Sequence, residues 1–183
     1  MKVFMVVRRA QPSDLDELNA LQHACYPPGF HEDPAVFARI VEHGQSYVLE
    51  STGGSGEQLM VGYALVHAIG DPDQPPSLNT AGRSSPAHTP EHVFIHDVSV
   101  LPEYRDKRYG SQLVSHVLLE AQQGGAQTVT LISVQGSQKF WEGHGFACTG
   151  KQWECLHSYG AGAVHMALTQ GSSAVPAYTR RAE

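Results

Sequence analysis

Cysteine is scarce in this chain. The three cysteines, Cys25, Cys148 and Cys155, are odd in number and match no metal-ligand spacing. We therefore expect free thiols in a reducing compartment, which favours a cytoplasmic location.

Long apolar runs are also absent. The opening MKVFMVVRR has only five apolar residues between its charges, too few for a signal-peptide core or a membrane span. It better fits a first strand, Val3–Val7. We expect no membrane partner.

An excess of basic charge is the third absence. Twelve Lys and Arg face eighteen Asp and Glu, which gives a net charge of −6. Nucleic-acid-binding surfaces are normally basic, so we expect no nucleic-acid partner. The local cluster Arg105, Lys107 and Arg108 instead favours a small anionic ligand.

The size and composition predict one globular domain. The chain has 183 residues, of which 41% are hydrophobic and 16% charged, enough for one full core. We expect a domain over 1–170, as a monomer or homodimer, and a frayed tail over 171–183. The eleven histidines include His144, His157 and His165, but no metal-ligand spacing, so we expect no metal.

Local signals predict two helices after the first strand. Ser13 is a natural N-cap for the first helix, in which apolar residues recur at helical spacing, and Tyr26-Pro27-Pro28-Gly29 should end it. The second helix has Asp33 as its cap, Pro34 at its first position and Gly44 at its end.

The middle of the chain predicts a hairpin and then a long loop. Ser46–Glu50 and Leu59–His67 are β-rich runs on either side of a flexible turn. Gly70–Pro90 holds five prolines and almost no large apolar side chains, so we expect a long mobile loop over 70–91.

The second half predicts a strand, a helix and a parallel strand. Val93–Val100 and Thr128–Val134 flank a helix whose apolar face runs from Leu113 to Ala121. A short helix over Ser137–Glu142 and two strands, around Cys148–Cys155 and at Ala163–Thr169, should follow. The fold class is therefore α/β.

Two motifs carry a family resemblance. VLPEYRDKRYGSQL (100–113) is similar to the acyl-CoA signature of the GNAT N-acyltransferases, and FWEGHGF (140–146) to their second signature. The resemblance implies a mixed sheet of about seven strands with flanking helices and a splayed parallel pair that binds acetyl-CoA. The implied cofactor residues are Val98, Ser99, Val100, Arg105, Lys107, Arg108, Tyr109, Gly110, Ser111, Ser137, Phe140 and Trp141.

The line IHDVSVLPEYR is similar to the aralkylamine N-acetyltransferases of that family. His96 matches a histidine that serves there in proton removal, and the place of a second histidine is taken by Phe94. A base is needed because an alkylammonium near pKa 10.4 is mostly protonated at neutral pH. Strand alternation predicts that His96 shares a face with Val98 and Val100, and that Asp97 lies opposite in a structural role.

Two positions depart from the family pattern. Arg108 replaces the first glycine of the phosphate turn, and a left-handed arginine would cost about 1–2 kcal/mol, so we expect helical backbone there. Trp141 replaces the tyrosine that commonly protonates the departing thiolate, and we expect it to be a core residue beside Phe140 and Phe146. Tyr159, Tyr109 or a water remains as the proton donor.

The acceptor should enter beside the first two helices. Tyr26, Pro27 and Phe30 offer aromatic and rigid apolar surface, Glu32 can attract a cationic amine, and Phe94 lies on the neighbouring strand. The sequence therefore predicts an acetyl-CoA-dependent N-acetyltransferase that acts by direct attack of a primary amine, favoured as a small aralkylamine or polyamine. The alternatives are a protein, peptide or xenobiotic-amine N-acetyltransferase, or an acyl-CoA-binding module without turnover.

Overall fold

The computed structural model of the chain describes residues 4–52, 57–80 and 91–171. Within these ranges, seven strands form one mixed sheet in the order β1-β2-β3-β4-β5-β7-β6. The strands are β1 (Phe4–Arg9), β2 (Tyr47–Thr52), β3 (Gln58–Ile69), β4 (His92–Val100), β5 (Thr128–Ser133), β6 (Ala147–Cys148) and β7 (Val164–Thr169). The helices are α1 (Leu15–Cys25), α2 (Pro34–His43), α3 (Tyr109–Gln123) and α4 (Gln138–Glu142). The predicted α/β architecture is confirmed.

The helices cover the sheet on both faces. The apolar face of α3, including Leu113 and Val117, packs on one side with Val93 and Val129 from the sheet. On the other side α1 and α2 bury Leu18 and Phe37 against β2 and β3. Burial of each such side chain contributes about 1.5–3 kcal/mol, so packing holds the helices in place. No helix in the described ranges is both long and apolar enough to cross a bilayer.

The boundaries of α2 agree with the sequence signals. The Asp33 carboxylate accepts a hydrogen bond of 2.8 Å from the Ala35 N–H, and Pro34 is the first helical residue. Gly44 follows the helix, where an added Cβ would lie 2.2 Å from the Val66 carbonyl oxygen. Glycine is therefore required at this position, where the backbone after α2 approaches the backbone of β3.

The predicted cap of α1 is wrong. Ser13 lies inside a 3-10 turn, Pro12–Asp14, that precedes α1. The Asp14 carboxylate accepts a 2.7 Å hydrogen bond from the Gln11 N–H, and the Arg8 guanidinium holds the same carboxylate at 2.7 Å. This ion pair with β1 fixes the turn, so the first helical residues need no serine cap.

The predicted strand around Cys148–Cys155 is also largely wrong. Only Ala147 and Cys148 pair with β7, and residues Glu154–Tyr159 form a 3-10 turn. The chain leaves the sheet after β6, and the turn buries Leu156 and Tyr159 in a cluster with Phe94. That burial favours a turn over the sheet face instead of an extended edge strand.

Residues 71–80, which we call the strap, belong to the loop predicted over 70–91 and contain no helix or strand. Pro75 and Pro76 are buried, and the Tyr159 hydroxyl donates a 2.9 Å hydrogen bond to the Pro76 carbonyl. The strap therefore packs on the domain through its prolines and its backbone. The rest of the predicted loop, residues 81–90, and the predicted tail beyond Gly171 lie outside the described residues.

Strands β4 and β5 separate near their carboxyl ends. They pair in parallel from His92 opposite Thr128 to Ile95 opposite Leu131. Strand β4 continues to Val100 and β5 to Ser133 without further pairing to each other. The splayed parallel pair predicted from the sequence is present, and it leaves one edge of the outer part of β4 open.

Candidate active site

A cavity of about 230 Å³ lies where β4 and β5 separate. Eight of the predicted site residues line it: Tyr26, Phe30, Glu32, His96, Val98, Ser137, Phe140 and Trp141. The other lining residues are Leu78, Ile95, Asp97, Leu131, Ile132, Val134, Gln135 and Tyr159. The cavity thus collects groups from the α1–α2 loop, the strap, both splayed strands and α4.

Other predicted contacts lie outside the cavity wall. Phe94 has no exposed surface, packs with Ile132 and Leu156 and does not line the cavity, so its contact with the acceptor stays a prediction. Pro27 is exposed and does not line the cavity. Ser99 and Val100 lie further along β4 and are buried.

A β-bulge changes the predicted facing of β4. Leu65 of β3 pairs with Asp97 and the next residue, Val66, pairs with Ile95, so His96 is an extra residue on β4. Asp97 and His96 both contact groups from the α1–α2 side, whereas Val98 and Val100 pack with the α3-side core. The expected shared face is therefore wrong, because a bulge reverses the alternation that follows it.

His96 and Glu32 form a buried pair. The His96 Nε2 lies 2.8 Å from the Glu32 Oε1, and the exposed fractions of the two side chains are 0% and 5%. The His96 Nδ1 is buried and has no hydrogen-bond partner in the described part of the chain. The two side chains therefore form one buried unit at the cavity wall, to which both residues contribute.

Glu32 is held at four points. The buried side-chain amide of Gln22 accepts from the Glu32 N–H at 2.7 Å and donates to the Glu32 carbonyl at 3.3 Å. The second carboxylate oxygen of Glu32 accepts a 2.6 Å hydrogen bond from the Asn79 N–H of the strap. With its contact to His96, these bonds fix the carboxylate before any ligand arrives.

Asp97 is bound by two phenols. The Tyr26 hydroxyl donates to the Asp97 carboxylate at 2.5 Å, and the Tyr63 hydroxyl donates to its other oxygen. Burial raises the pKa of Asp97 to about 6, although both hydrogen bonds favour the ion. Burial and the Asp97 charge raise the pKa values of Tyr26 and Tyr63 well above 10, so both phenols keep their protons.

Trp141 is a packed residue at the far wall. Its ring lies 5.0 Å from that of Phe140 and 5.6 Å from that of Phe146, centroid to centroid, as predicted. Its indole N–H donates a 3.2 Å hydrogen bond to the Ser137 hydroxyl, which donates in turn to the Val134 carbonyl. Indole is a donor with no titratable proton, so this wall supplies shape.

The basic turn has an unusual backbone. Arg108 has φ 63° and ψ 16°, and Asp106 also has a positive φ of 60°. The expected helical conformation at Arg108 is wrong, since the turn places a left-handed residue immediately before α3. Within the described chain, the backbone N–H groups of residues 106–111 have no hydrogen-bond acceptor. They form a cluster of free donors at the positive end of the α3 dipole.

The basic side chains of this turn have separate roles. Arg105 donates to the Val100 carbonyl at 3.0 Å and to the Cys25 carbonyl at 3.4 Å, which ties β4 to the end of α1. Lys107 donates to the Glu103 carbonyl at 3.2 Å. Arg108 is exposed, and among the described residues no acidic side chain pairs with it. Its guanidinium is available to a ligand.

Phe140 lies between the basic turn and the cavity. An added Cβ on Gly110 would sit 3.6 Å from the Phe140 ring. The Ser111 hydroxyl lies 3.2 Å from the His144 Nε2, and burial lowers the pKa of His144. The turn, Phe140 and the cavity therefore form one continuous path from a donor cluster to a buried His–Glu pair.

Sequence reasoning missed several residues of this site. Gln22, Asn79 and Tyr63 contact Glu32 or Asp97 but carry no motif, and Leu78 belongs to a segment read as a loop. The one local signal was Gln22, a glutamine on the apolar face of α1, because a buried amide needs hydrogen-bond partners inside the fold. Within the described ranges, no three His, Cys, Asp or Glu residues are grouped to hold a metal ion.

A family model described as "Acetyltransferase (GNAT) family" matches residues 15–146. This chain belongs to the GNAT acetyltransferase family. The match includes α1, the splayed strands, the basic turn and the FWEGHGF segment, so both motifs lie within it. No curated protein matches the chain significantly.

Solved structures share the GNAT fold with this chain. The loading GNATL domain of CurA from Lyngbya majuscula has a TM-score of 0.69 and 15% identity, over 91% of this chain and 98% of that one. The GphF GNAT-like decarboxylase in complex with isobutyryl-CoA has a TM-score of 0.67 and 21% identity, over 90% and 98%. Arabidopsis thaliana Naa50 in complex with the bisubstrate analogue CoA-Ac-MVNAL has a TM-score of 0.67 and 15% identity, also over 90% and 98%.

Proposed function

We propose that this protein is an acetyl-CoA-dependent N-acetyltransferase that transfers an acetyl group to a primary amine by direct attack. The observation that carries the proposal is the buried His96–Glu32 pair at the open edge of β4, in a family whose members act on acyl-CoA. The favoured acceptors are small aralkylamines and polyamines. A cytoplasmic location and a monomeric or homodimeric state remain predictions.

The basic turn supports binding of the CoA phosphates. The free N–H groups of residues 106–111 suit an anion, and the exposed Arg108 guanidinium adds charge-assisted hydrogen bonds. The unpaired edge of β4 beyond Ile95 suits the amide groups of the pantetheine arm, as a peptide pairs with a sheet edge. The thioester then reaches the cavity beside Val98.

The His96–Glu32 pair supports proton removal from the amine. An ammonium group in the cavity meets the Glu32 carboxylate, and one proton passes from nitrogen to the pair. The neutral nitrogen then attacks the thioester carbon, and backbone N–H donors of the open β4 edge bind the developing oxyanion. That attack forms the C–N bond. Collapse of the tetrahedral intermediate then restores the carbonyl and breaks the C–S bond, and the second proton of the nitrogen passes through water to the departing thiolate.

The CoA thiolate leaves from the side of Trp141. The Tyr159 hydroxyl lines the cavity, but it donates to the Pro76 carbonyl and burial raises its pKa. Tyr109 lies outside the cavity wall. A thiol near pKa 8.5 is a good leaving group, so a water molecule suffices as the proton donor.

Two replacements of Arg108 give a matched test of phosphate binding. Arg108→Gly and Arg108→Ala both remove the guanidinium, so each should raise the KM for acetyl-CoA about tenfold. Only alanine is strained at a positive φ, so Arg108→Ala should also be about 1 kcal/mol less stable than Arg108→Gly. An unchanged KM in both variants would remove Arg108 from the phosphate site.

The proposed function is tested by thiol release from acetyl-CoA. The panel contains phenethylamine, spermidine, amino acids, an aminoglycoside and a tetrapeptide, with a control that lacks an acceptor. We expect turnover with at least one small amine, and mass spectrometry of an N-acetyl product. Tight acetyl-CoA binding without release above the control would instead favour the acyl-CoA-binding module.

A further inference from the structure

The strap connects the two walls of the acceptor side of the cavity. At one wall, the Asn79 N–H bonds the Glu32 carboxylate and the Asn79 side-chain oxygen accepts from the Asp33 N–H at 2.8 Å. At the other wall, the Leu78 N–H donates to the Ser158 hydroxyl at 2.9 Å. With the Tyr159 contact to Pro76, four hydrogen bonds link the α1–α2 loop to the Glu154–Tyr159 turn through this segment.

Rigid residues and one exposed ion pair also lie along the strap. Asn79 has a positive φ of 62°, a conformation that asparagine adopts more readily than most residues. Asp73 forms an ion pair with Lys151, whose ammonium lies 5.8 Å from the centroid of the Trp153 ring. Pro75 and Pro76 are buried and already rigid.

The position of the strap limits the room for an acceptor. Glu32 belongs to one wall of the cavity and Tyr159 to the other. Leu78 of the strap lines the same cavity, so the strap closes the space between the two walls. The cavity volume of about 230 Å³ lies below the ~300–1,000 Å³ of pockets for drug-sized ligands. An acceptor that ends within the cavity fits, whereas an extended chain meets the strap.

We propose that the strap determines acceptor specificity by restricting the enzyme to small primary amines and excluding peptide N-termini. This inference rests on the proposed N-acetyltransferase function. An ammonium bound at Glu32 lies beside the strap, and its substituent is enclosed by Tyr26, Phe30 and Leu78. A peptide would have to displace Asn79 from Glu32, and would thereby disturb the carboxylate that binds its own nitrogen.

The test compares phenethylamine with a tetrapeptide that has a free N-terminus. The latch variant is Asn79→Gly with Ser158→Ala, which removes one side-chain hydrogen bond at each wall and keeps a residue that tolerates the positive φ. Asp73→Asn is the matched control, because it loses only the ion pair with Lys151, which is solvent-exposed, and keeps all four hydrogen bonds that link the walls. Hydrogen exchange of residues 71–80 reports directly whether the strap has been released.

The wild type should prefer phenethylamine by about 100-fold or more in kcat/KM. In the latch variant, faster hydrogen exchange should accompany a fall of at least about tenfold in that preference, through a rise in peptide turnover. Asp73→Asn should keep the wild-type preference. The inference is overturned if the wild type acetylates the tetrapeptide as well as the amine, or if a released strap leaves the preference unchanged. If no acceptor is turned over while acetyl-CoA still binds, the proposed function itself fails.

Discussion

Replacing His96 with glutamine is expected to lower kcat/KM for the amine by about 10²–10⁴-fold, the usual contribution of a positioned base. Glu32→Gln should cause a loss of the same order, because an amide neither accepts the proton nor attracts the ammonium. Acetyl-CoA binding, measured by calorimetry, should change by less than about twofold in both variants, since neither residue lies in the basic turn.

The double variant, His96→Gln with Glu32→Gln, tests whether the two residues act as one catalytic pair or contribute independently. If His96 acts through Glu32, the double variant should be no more than about tenfold slower than the slower single variant. The chain supplies a matched control in the exposed pair His43 and Glu42, whose side chains lie 3.6 Å apart on α2. His43→Gln and Glu42→Gln should leave both kinetic constants unchanged.

Two outcomes would contradict this role. Retention of more than about a third of wild-type kcat/KM in His96→Gln would exclude the pair as the base. Losses that multiply in the double variant would mean that the residues act separately. In that case Asp97, the other carboxylate of the cavity wall, becomes the next residue to replace.

Replacing Asp97 with asparagine should change the pH dependence of stability. The pKa of the Asp97 carboxyl is about 6 in the folded protein, against 3.8 for a solvent-exposed aspartate, because burial disfavours the ion. This difference is equivalent to about 3 kcal/mol, and partial exposure to the cavity reduces the expected effect to about 2. Urea unfolding at pH 4, 5, 6, 7 and 8 measures it.

The direction in which stability changes with pH follows from the number of protons bound by the folded and unfolded states. Between pH 4 and 6 the folded protein holds a proton on Asp97 that the unfolded chain has released, so stability falls as pH rises. Above pH 6 Asp97 is ionised in both states, so stability no longer changes with pH but the folded protein keeps the full cost of burying the carboxylate. The free energy of unfolding of Asp97→Asn should therefore gain about 2 kcal/mol relative to the wild type between pH 4 and 7.

Asp14 provides a control of opposite sign. Its hydrogen bonds with Arg8 lower its pKa, so Asp14 stabilises the fold above the pKa of the unfolded carboxyl and loses this effect as pH falls. Asp14→Asn should consequently be most destabilised at neutral pH. A constant difference between Asp97→Asn and the wild type at all pH values would show that the carboxyl does not titrate in this range.

The parts of the fold predicted from sequence are those with short-range causes. The ends of α2 depend on Asp33, Pro34 and Gly44, each of which acts within a few residues of itself. The β4-α3-β5 unit has strong periodicity and a glycine after the helix. The basic turn and the FWEGHGF segment lie within this part of the chain, so the motifs could be placed on known elements.

The strap was missed because its contacts are long-range and mostly involve the backbone. The Asn79 N–H meets Glu32, 47 residues earlier in the chain, and the Leu78 N–H meets Ser158, 80 residues later. Composition reports apolar side chains, but it does not report which backbone groups find partners. A segment rich in proline and polar residues can therefore dock firmly and still resemble a loop.

The bulge and the left-handed arginine were missed for another reason. Strict alternation has no place for an extra residue, so the facing of His96 and Asp97 could not be read from β4 alone. At Arg108 the local preference against a positive φ was real, but the surrounding turn overrides it. Both departures from local rules lie at the candidate site, where strain is most often tolerated.

The turn before α3 takes its conformation during folding, before any acetyl-CoA binds. Asp106 and Arg108 already hold the left-handed backbone that presents the free N–H groups, so the cost of that conformation is borne by folding. The incoming thioester loses its own freedom of motion but does not have to order the loop. Its encounter rate should then be limited by diffusion and orientation, and differences among acyl chains should appear in how long each complex survives.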